Sequence, residues 1–388
     1  PSPEPTPEPT PEAAELTVYG NADDATFDTF GSKIVALKYP DYKLTYHCSC
    51  VLNVPDLKEK TGVMPDIHFD LDAAGLNVLK DFQAEQDLTE LINSGLVDLN
   101  RFDPASIQSI KNWSGGDKIY GLPYNSNPIV VFYNKDVFDK FGVEYPKDGM
   151  TWDELYDLAQ KVTGNKDGVD YRGVSMFYNF LLDKNEFSLP ILDPATGKAA
   201  VNNDGWKRIF ENLGRFYQIP GNQVGYERGN SGLELNKFYE TKNIAMVVSL
   251  LSSYNRPGFE TLNWDMVSAP IHPDNNGVGY QNHPSHIYIA NTTANKEAAL
   301  KAVDAILSDE AQLEASKLGR VTPLVNEEVR KAFGTGVERL QGKNTGAVFV
   351  NKVAPSPAYF TAGALNPHQA PEHTDRRYLP GWTARVYQ

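Results

Sequence analysis

The sequence predicts an α/β protein with two domains, and three observations lead to this prediction. Its 388 residues, of which 41% are hydrophobic, exceed what one ordinary core accommodates. From Leu16 onward, short apolar runs alternate with apolar residues at helical spacing. A capping box that runs from Thr151 to Glu154 marks the start of a helix. Alternation of this kind is typical of strand-helix-strand units, which form largely parallel sheets.

Three strands are expected in the amino-terminal part of the chain. They fall at residues 16–19, 42–51 and 66–69, each a short apolar or alternating run. The segment between the first two strands predicts an amphipathic helix, because one face would carry Phe27, Phe30, Ile34 and Leu37. A second helix is expected after the third strand.

The central and carboxyl-terminal parts continue the alternation. Residues 128–133 read as a buried strand, and Trp152 and Trp206 each open an apolar helical stripe, which predicts that both are core residues. Further strands or extended segments are expected at residues 244–250, 264–270 and 285–290, and further helices at 296–307 and 309–318. From residue 351 the periodicity weakens, and we expect irregular chain over the surface.

Charge and composition exclude several classes of protein. The formal net charge of −14, without a basic run, disfavours binding to nucleic acid. The sequence contains no run of 18 apolar residues, so it predicts no membrane span. Residues 1–12 read PSPEPTPEPTPE, which predicts an extended, semi-rigid spacer in a processed or trimmed chain. Phosphate-loop, dinucleotide-fold and HExxH patterns are absent, so the sequence predicts no cofactor, no metal site and no catalytic residue.

The two cysteines, Cys48 and Cys50, lie two residues apart. If both belong to one strand, their thiols point into the same layer, and the favoured interpretation is a pair of free, buried cysteines. A metal half-site that includes His47 is one alternative, although this histidine would face the other way on a strand. A redox pair or a local disulfide is the other.

A resemblance emerges between Gly116 and Glu154. The order is Gly-Asp-Lys-Ile-Tyr-Gly-Leu-Pro-Tyr-Asn, a buried strand that ends Phe-Tyr-Asn-Lys, a helix closed by Phe141-Gly142, and then the capping box. This unit resembles the extracellular solute-binding proteins of ABC importers, the family that includes maltose-type sugar receptors. Supporting segments, such as Met64-Pro65-Asp66-Ile67 and Gly319-Arg320, extend the resemblance over residues 16–333.

The resemblance implies a two-lobed, periplasmic-binding-protein-like fold of type II, with two or three hinge crossovers. The implied crossovers lie near residues 122–127, 269–285 and 321–326. Residues 1–15 would then be the linker, residues 16–123 and 270–323 the amino-terminal lobe, and residues 124–269 and 324–388 the carboxyl-terminal lobe.

The implied function is capture of a mono- or oligosaccharide between the lobes and its delivery to an ABC permease, without catalysis. The family's Gram-positive members are commonly lipoproteins, so the resemblance implies that a lipid anchors the protein at the extracellular face of the cell membrane. A monomer is also expected. The tether cysteine itself is absent from this sequence. An oligopeptide, a metal chelate or another polar nutrient is the alternative ligand, and a carbohydrate-active hydrolase is the alternative class.

Candidate ligand residues follow the strands, because ligands of open α/β sheets bind beyond the carboxyl ends of strands. Sugars need carboxylates and amides for their hydroxyl groups and aromatic rings for their apolar faces. On these grounds we predict a site formed by Asn21, Asp23, Asp24, Asp70, Tyr124, Asn125, Asn127, Tyr178, Tyr254, Trp264 and His283. For the three aspartates the alternative is helix capping. For Tyr124 it is hinge packing, and for Tyr254 and His283 it is packing or an exposed loop position.

Overall fold

Two five-stranded sheets organise the part of the chain that the computed structural model describes. The described residues are 13–51, 53–62, 64–71, 73–114, 116–223 and 231–358. In chain order the strands are β1 (Ala14–Gly20), β2 (Tyr42–Cys48), β3 (Ile67–Leu71), β4 (Gly121–Asn125), β5 (Ile129–Asn134), β6 (Gly164–Lys166), β7 (Val169–Met176), β8 (Ile244–Leu250), β9 (Trp264–Ser268) and β10 (Ser285–Ile289).

The first sheet has the strand order β2-β1-β3-β10-β4. β1 is parallel to both β2 and β3, as the strand-helix alternation predicts, whereas β10 runs antiparallel between β3 and β4. β1 begins at Ala14, so two residues of the predicted linker belong to the sheet. β2 ends at Cys48, three residues before the predicted end.

The second sheet has the strand order β6-β7-β8-β5-β9 and is largely antiparallel. Only β7 and β8 form a parallel pair within it. β5 and β8 are buried along their whole length, which agrees with their continuous apolar sequences.

Helices flank both sheets. The α-helices are α1 (Asp24–Phe27), α2 (Lys33–Lys38), α3 (Val54–Thr61), α4 (Ala73–Asp81), α5 (Thr89–Leu91), α6 (Pro104–Ser114), α7 (Lys135–Phe141), α8 (Trp152–Lys161), α9 (Tyr178–Asp183), α10 (Asp204–Phe216), α11 (Ser231–Glu240), α12 (Lys296–Ile306), α13 (Asp309–Lys317) and α14 (Glu327–Lys331). The predicted capping box is confirmed, because both of its hydrogen bonds are present at the start of α8. Every helix among the described residues is too short or too polar to span a bilayer.

Separate apolar clusters pack against the two sheets. Trp152 and Trp206, each 1% exposed, lie in the cluster of the second sheet, which confirms the prediction that they are core residues. Leu37, by contrast, is 85% exposed, so the predicted apolar stripe of the first helix is wrong at its last position. A π-helical turn at residues 28–32 separates α1 from α2 and changes the rotation of the helix before Leu37.

The two cysteines form a disulfide, so the favoured prediction of free thiols is wrong. That prediction placed both residues on one face of a strand. Because β2 ends at Cys48, Cys50 instead lies in the following turn, where the chain can bend back. Cys48 is buried, whereas Cys50 is exposed.

The chain passes between the two sheets at neighbouring places. It leaves the first sheet after Asn125 and returns between Ser268 and Ser285. The amide of Asn127 donates to the carbonyl of His283 over 3.1 Å, and the amide of Ser126 donates to the carbonyl of Val321 over 2.9 Å. The three segments that carry the predicted crossovers therefore lie side by side.

Residues 351–358 follow the last helical turn as irregular chain, as predicted. They are nevertheless firmly packed, because Ser356 is 2% exposed and its amide donates to the hydroxyl of Ser109 on α6. The spacer predicted at residues 1–12 and the predicted irregular chain at residues 359–388 lie outside the described residues.

Candidate functional site

Most of the predicted ligand residues lie at one edge of each sheet. β1, β3 and β4 point the same way, so the carboxyl ends of these strands share a single edge of the first sheet. Asn21 follows β1, Asp70 is the penultimate residue of β3, and Asn125 is the last residue of β4. The chain leaves for the second sheet from this same edge. We call this the crossover edge, and on the second sheet it comprises the ends of β7 and β8 and the start of β5.

A half-buried ion pair lies at the crossover edge of the first sheet. The Nη1 atom of Arg320 is 3.2 Å from Oδ2 of Asp70. The Arg320 guanidinium also lies over the ring of Phe30, with 5.1 Å between its Cζ atom and the ring centroid, and 5.9 Å from the ring of Tyr124. A planar cation, a carboxylate and an aromatic face are thus brought together next to Val321, the residue that is hydrogen-bonded to Ser126 of the first crossover segment.

Asp70 is held in an unusual backbone conformation, with a φ of 56°. Left-handed φ values are uncommon outside glycine, although aspartate accepts them better than most residues. Such conformations cluster at functional sites, where the surrounding structure maintains them. Among the described residues, the Asp70 carboxylate accepts a hydrogen bond from Arg320 and forms an ion pair with it. The predicted alternative of a helix cap involves residue 72, which lies outside the described residues.

Arg320 and several of the predicted ligand residues affect one another's pKa values. Burial opposes the charge of Arg320, but Tyr124 and Asp70 outweigh it and raise the pKa of the guanidinium. Hydrogen bonds from Thr26 lower the pKa of Asp23, and Arg320 acts in the same direction. Burial raises the pKa of Tyr124, which keeps its hydroxyl protonated.

Asn21, Asp23 and Asp24 lie in the exposed turn after β1. Asp23 caps α1 by accepting the amide of Thr26 at 2.7 Å, so the capping alternative is confirmed for this residue. Asn21 accepts a hydrogen bond from the hydroxyl of Ser49, also at 2.7 Å. This contact links the turn after β1 to the disulfide-closed turn after β2.

The aromatic side chains at this edge differ from those predicted. Tyr46 on β2 stacks on Phe27, with 4.1 Å between ring centroids, and its hydroxyl donates to the carbonyl of Ala22. Tyr124 is only 2% exposed and packs against Phe69, which agrees with the predicted alternative of hinge packing. Phe30, which is half-buried beside Arg320, is more exposed than Tyr124.

On the second sheet, Tyr178 and Tyr254 follow β7 and β8 at the crossover edge. Tyr178 begins α9 and is half-buried, next to the stacked rings of Phe177 and Phe180. Tyr254 is 4% exposed, and its hydroxyl lies against Gly319, where an added Cβ would come within 2.6 Å. Because Gly319 has a φ of 87°, both space and conformation restrict this position to glycine. Tyr254 therefore packs, as its alternative predicted, directly beside the residue that precedes Arg320.

Asn127 and His283 join the crossovers to the second sheet. The side chain of Asn127 donates to the hydroxyl of Ser252 at 2.8 Å and accepts the Ser252 amide at 2.9 Å. His283 packs edge-on against Phe180, with 5.7 Å between ring centroids. The side-chain amide of Asn127 is therefore engaged by Ser252, in the turn after β8.

The structure does not support Trp264 as a ligand residue. Trp264 opens β9 opposite Asn134, at the end of the second sheet away from the crossover edge. It is 1% exposed and packs against Phe132 and Phe259 in the core. A fully buried indole at the far end of its strand cannot stack on a ligand at the crossovers.

Sequence reasoning missed Arg320, Phe30 and Tyr46. The signal for Arg320 was present, since Gly319-Arg320 immediately precedes the predicted third crossover. Phe30 and Tyr46 were read only as the apolar face of a helix and as a strand residue.

Other parts of the described chain offer less to a ligand. Within residues 13–358, apart from the gaps given above, no three histidine, cysteine, aspartate or glutamate side chains come together as potential metal ligands. A cavity of about 580 Å³ is lined by the start of α6, by the crossover residues Pro128 and Val321, and by residues 348–353 and Pro355. None of the predicted ligand residues lines this cavity.

Comparison with known families gives a match over most of the chain. The model of the family described as bacterial extracellular solute-binding protein matches residues 58–335. The matched segment contains Asp70, Tyr254 and Arg320, and so includes the centre of the crossover edge.

Curated relatives match over shorter segments. The arabinooligosaccharide-binding protein of Bacillus subtilis is 34% identical over 122 residues, which span 30% of this chain and 26% of that protein. The sn-glycerol-3-phosphate-binding periplasmic protein UgpB of Brucella abortus is 42% identical over 41 residues, or 11% of this chain and 10% of that protein. The chain thus matches about a quarter of the first relative's length and a tenth of the second's.

Solved structures match over nearly the whole chain. A sugar transporter protein from Rhizobium etli, described in an open conformation, superimposes with a TM-score of 0.71 and 18% sequence identity. The match covers 89% of this chain and 90% of that one. At this identity the similarity establishes the fold, which is the two-lobed type II fold that the sequence predicted.

Proposed function

The chain belongs to the bacterial extracellular solute-binding protein family, and we propose that it is the receptor of an ABC importer for a carbohydrate. The observation that carries the proposal is the cluster of Asp70, Arg320 and Phe30 at the crossover edge. A carboxylate and a guanidinium can accept from and donate to adjacent hydroxyl groups of one sugar ring. An aromatic face beside them suits the apolar face of the same ring.

The charge of the site favours a neutral saccharide over the glycerol phosphate that the Brucella relative is named for. Asp23, Asp24 and Asp70 bring three carboxylates to the crossover edge. Arg320 brings a guanidinium to the same edge, but it is already paired with Asp70. A phosphate would have to approach these carboxylates and compete with Asp70 for the cation. The name of the Bacillus relative points to a sugar, in agreement with this argument.

Capture would depend on motion of two lobes about the crossovers. In this proposal residues 16–123 and 270–323 form one lobe and residues 124–269 and 324–388 the other. The side-by-side crossover segments, joined at Asn127 and His283 and at Ser126 and Val321, supply a short hinge. Closure would bring the ends of β7 and β8, with Tyr178, toward Asp70 and Arg320.

The remaining parts of the proposal concern the cellular setting. The receptor would act outside the cell as a monomer, bind without turnover and hand its solute to the permease subunits of the importer. The proline-rich residues 1–12 would hold the lobes away from a lipid anchor at the membrane. Deletion of these residues should leave solute affinity unchanged, whereas a fall in affinity would contradict the spacer role.

A ligand screen tests the central claim. Thermal melting is measured with arabino-oligosaccharides, malto-oligosaccharides, oligopeptides, metal chelates and sn-glycerol 3-phosphate, and hits are followed by calorimetry. Stabilisation by a neutral saccharide is expected. Stabilisation by glycerol phosphate, peptides or chelates alone would contradict the proposal, and sustained release of new reducing ends from an oligosaccharide would favour a hydrolase.

A further inference from the structure

The disulfide between Cys48 and Cys50 lies beside the candidate site. Cys48 is the last residue of β2 and pairs with Gly20, the last residue of β1. Asn21, which follows Gly20, is one of the predicted ligand residues. The bridge therefore closes a turn that borders the turn carrying Asn21.

The residue enclosed by the bridge makes the contact to Asn21. The Ser49 amide donates to the carbonyl of Gly20 over 2.8 Å, and the Ser49 hydroxyl donates to Oδ1 of Asn21 over 2.7 Å. Two further hydrogen bonds fold the turn on itself, from the Val51 amide to the Cys48 carbonyl and from the Cys50 amide to Sγ of Cys48. The covalent bridge restricts the backbone on both sides of Ser49, and so limits the positions that its hydroxyl can occupy.

The two halves of the bridge differ in exposure. Cys48 is 6% exposed, whereas Cys50 is among the exposed residues. A thiol in solution therefore meets the Cys50 side of the bridge, and access is one of the factors that set the rate of thiol–disulfide exchange. The bridge spans two residues, so it closes too short a loop to contribute the chain-entropy stabilisation of a long-range disulfide.

We propose that the Cys48–Cys50 bridge is a thiol–disulfide exchange site for a dithiol reductant, and that its redox state sets the solute affinity of the neighbouring site. The second half of this proposal rests on the proposed function. In the oxidised state Ser49 orients Asn21, and in the reduced state the turn is free to move away from it.

The exchange proceeds in two balanced steps. One thiolate of the dithiol attacks Sγ of Cys50, the bond between the two cysteine sulfurs breaks, and Cys48 leaves as a thiolate that takes up a proton. The second thiolate of the dithiol then attacks the mixed disulfide and releases Cys50 as a thiol. The protein bridge gains two electrons and two protons, and the dithiol becomes a disulfide.

The test separates exchange from its effect on affinity. The intact protein is incubated with dithiothreitol, and one aliquot is alkylated with iodoacetamide and weighed by mass spectrometry. A second aliquot is titrated with arabinotriose and maltotriose, and a third is analysed by hydrogen exchange of the peptide that contains residues 42–51. We expect alkylation of both cysteines, faster exchange at the Ser49 and Val51 amides, and affinity lower by about 3- to 10-fold, the range for loss of one orienting hydrogen bond. Reoxidation should restore affinity.

Variants make the assignment specific. The C48S/C50S variant should bind like the reduced protein and should not respond to dithiothreitol. S49A keeps the bridge but loses the hydroxyl contact, so it should bind weakly in both redox states. If C48S/C50S does not fold, C50S, altered only at the exposed position, replaces it.

Each contrary outcome has a distinct meaning. A bridge that resists dithiothreitol overturns the exchange site. A reduced protein with unchanged affinity and unchanged amide exchange overturns the link to the solute site. Failure of the oxidised protein to bind these two sugars or any other saccharide of the ligand screen contradicts the proposed function and removes the affinity half of the proposal, while the alkylation and amide-exchange measurements still decide the other half.

Discussion

Arg320 and Asp70 form an ion pair across 250 residues of sequence, with 3.2 Å between Nη1 and Oδ2. Both side chains are sheltered, since 23% of the arginine side chain and 11% of the aspartate side chain are exposed. Asp70 is the penultimate residue of β3, and Arg320 follows α13 immediately before the last crossover segment. The pair therefore ties together two distant parts of the chain at the place where a solute is expected to bind.

Replacement of Arg320 by alanine should reduce solute affinity by about 10-fold or more, because a charge-assisted donor contributes roughly 1.5 to 3 kcal/mol. It should also destabilise the fold by about 1 to 3 kcal/mol, because the sheltered Asp70 carboxylate loses its cation. Calorimetry and urea unfolding measure the two effects. The matched control is Arg208→Ala, which breaks a surface pair with Asp274 and should leave affinity unchanged. Equal affinity of the Arg320 variant and the wild type would contradict the placement of the site.

Replacement of Tyr124 by phenylalanine should not destabilise the protein. The Tyr124 hydroxyl is buried and has no hydrogen-bond partner among the described residues. Its removal relieves the cost of an unsatisfied group, so the free energy of unfolding should stay the same or rise by up to about 1 kcal/mol. Tyr46→Phe is the control, because it removes a hydroxyl bonded to Ala22 and should cost about 1 kcal/mol. A larger loss in the Tyr124 variant than in the Tyr46 variant, measured by urea unfolding, would refute this expectation.

Two buried histidines should make the protein sensitive to mild acid. Burial lowers the pKa of His68 to about 4 and that of His286 to about 3, whereas an unfolded histidine titrates near its ordinary value. As the pH falls below about 6.5, the histidines of the unfolded state bind protons, whereas His68 and His286 of the native state stay neutral. The free energy of unfolding therefore declines. Between about pH 6.5 and 4.5 each histidine should account for on the order of 2 to 3 kcal/mol.

The comparison uses urea unfolding at both pH values. His68→Gln should reduce the loss relative to the wild type. An identical pH dependence in wild type and His68→Gln would contradict the contribution assigned to His68.

Glu186 should be essential for the stability of the second sheet. Its side chain is 2% exposed and accepts hydrogen bonds from Trp152 Nε1 at 3.2 Å and from the His272 amide at 2.9 Å, while His272 Nδ1 lies 2.6 Å away. Glu186→Ala leaves these buried groups without their partner and should cost about 2 to 4 kcal/mol. Glu314→Ala, which breaks an exposed pair with Lys317, should cost less than about 1 kcal/mol in the same measurement. Similar values for the two variants would contradict the role of the buried network.

Local elements were predictable because their signals lie within a few residues. The capping box at Thr151 and the strand at residues 244–250 appear where the sequence places them. The Cys48–Cys50 bridge was not favoured because the alternating sequence pattern continues past Cys48, where β2 ends. Only the end of the strand at Cys48 allows Cys50 to turn back and form the bridge. Trp264 was misjudged because an aromatic residue that stacks on a ligand and one that fills a core look the same in sequence.

The pairing of Arg320 with Asp70 lay beyond such reasoning for a different reason. No local sequence pattern connects residues so far apart. The family resemblance implied the fold and the crossovers, but it did not imply which side chains meet in the site. Asp23 illustrates the same limit, because a capping aspartate and a ligand aspartate follow a strand in the same way.

The position of β10 affects the order in which the protein is completed during synthesis. β3 and β4 are joined only through β10, which is made after every strand of the second sheet has emerged. Domains generally fold as units while the chain grows. The second sheet has all of its strands by Ser268, so it can assemble first. The sheet whose strands begin the chain, and whose edge carries Asp70, must wait for Ser285–Ile289 to fill its gap.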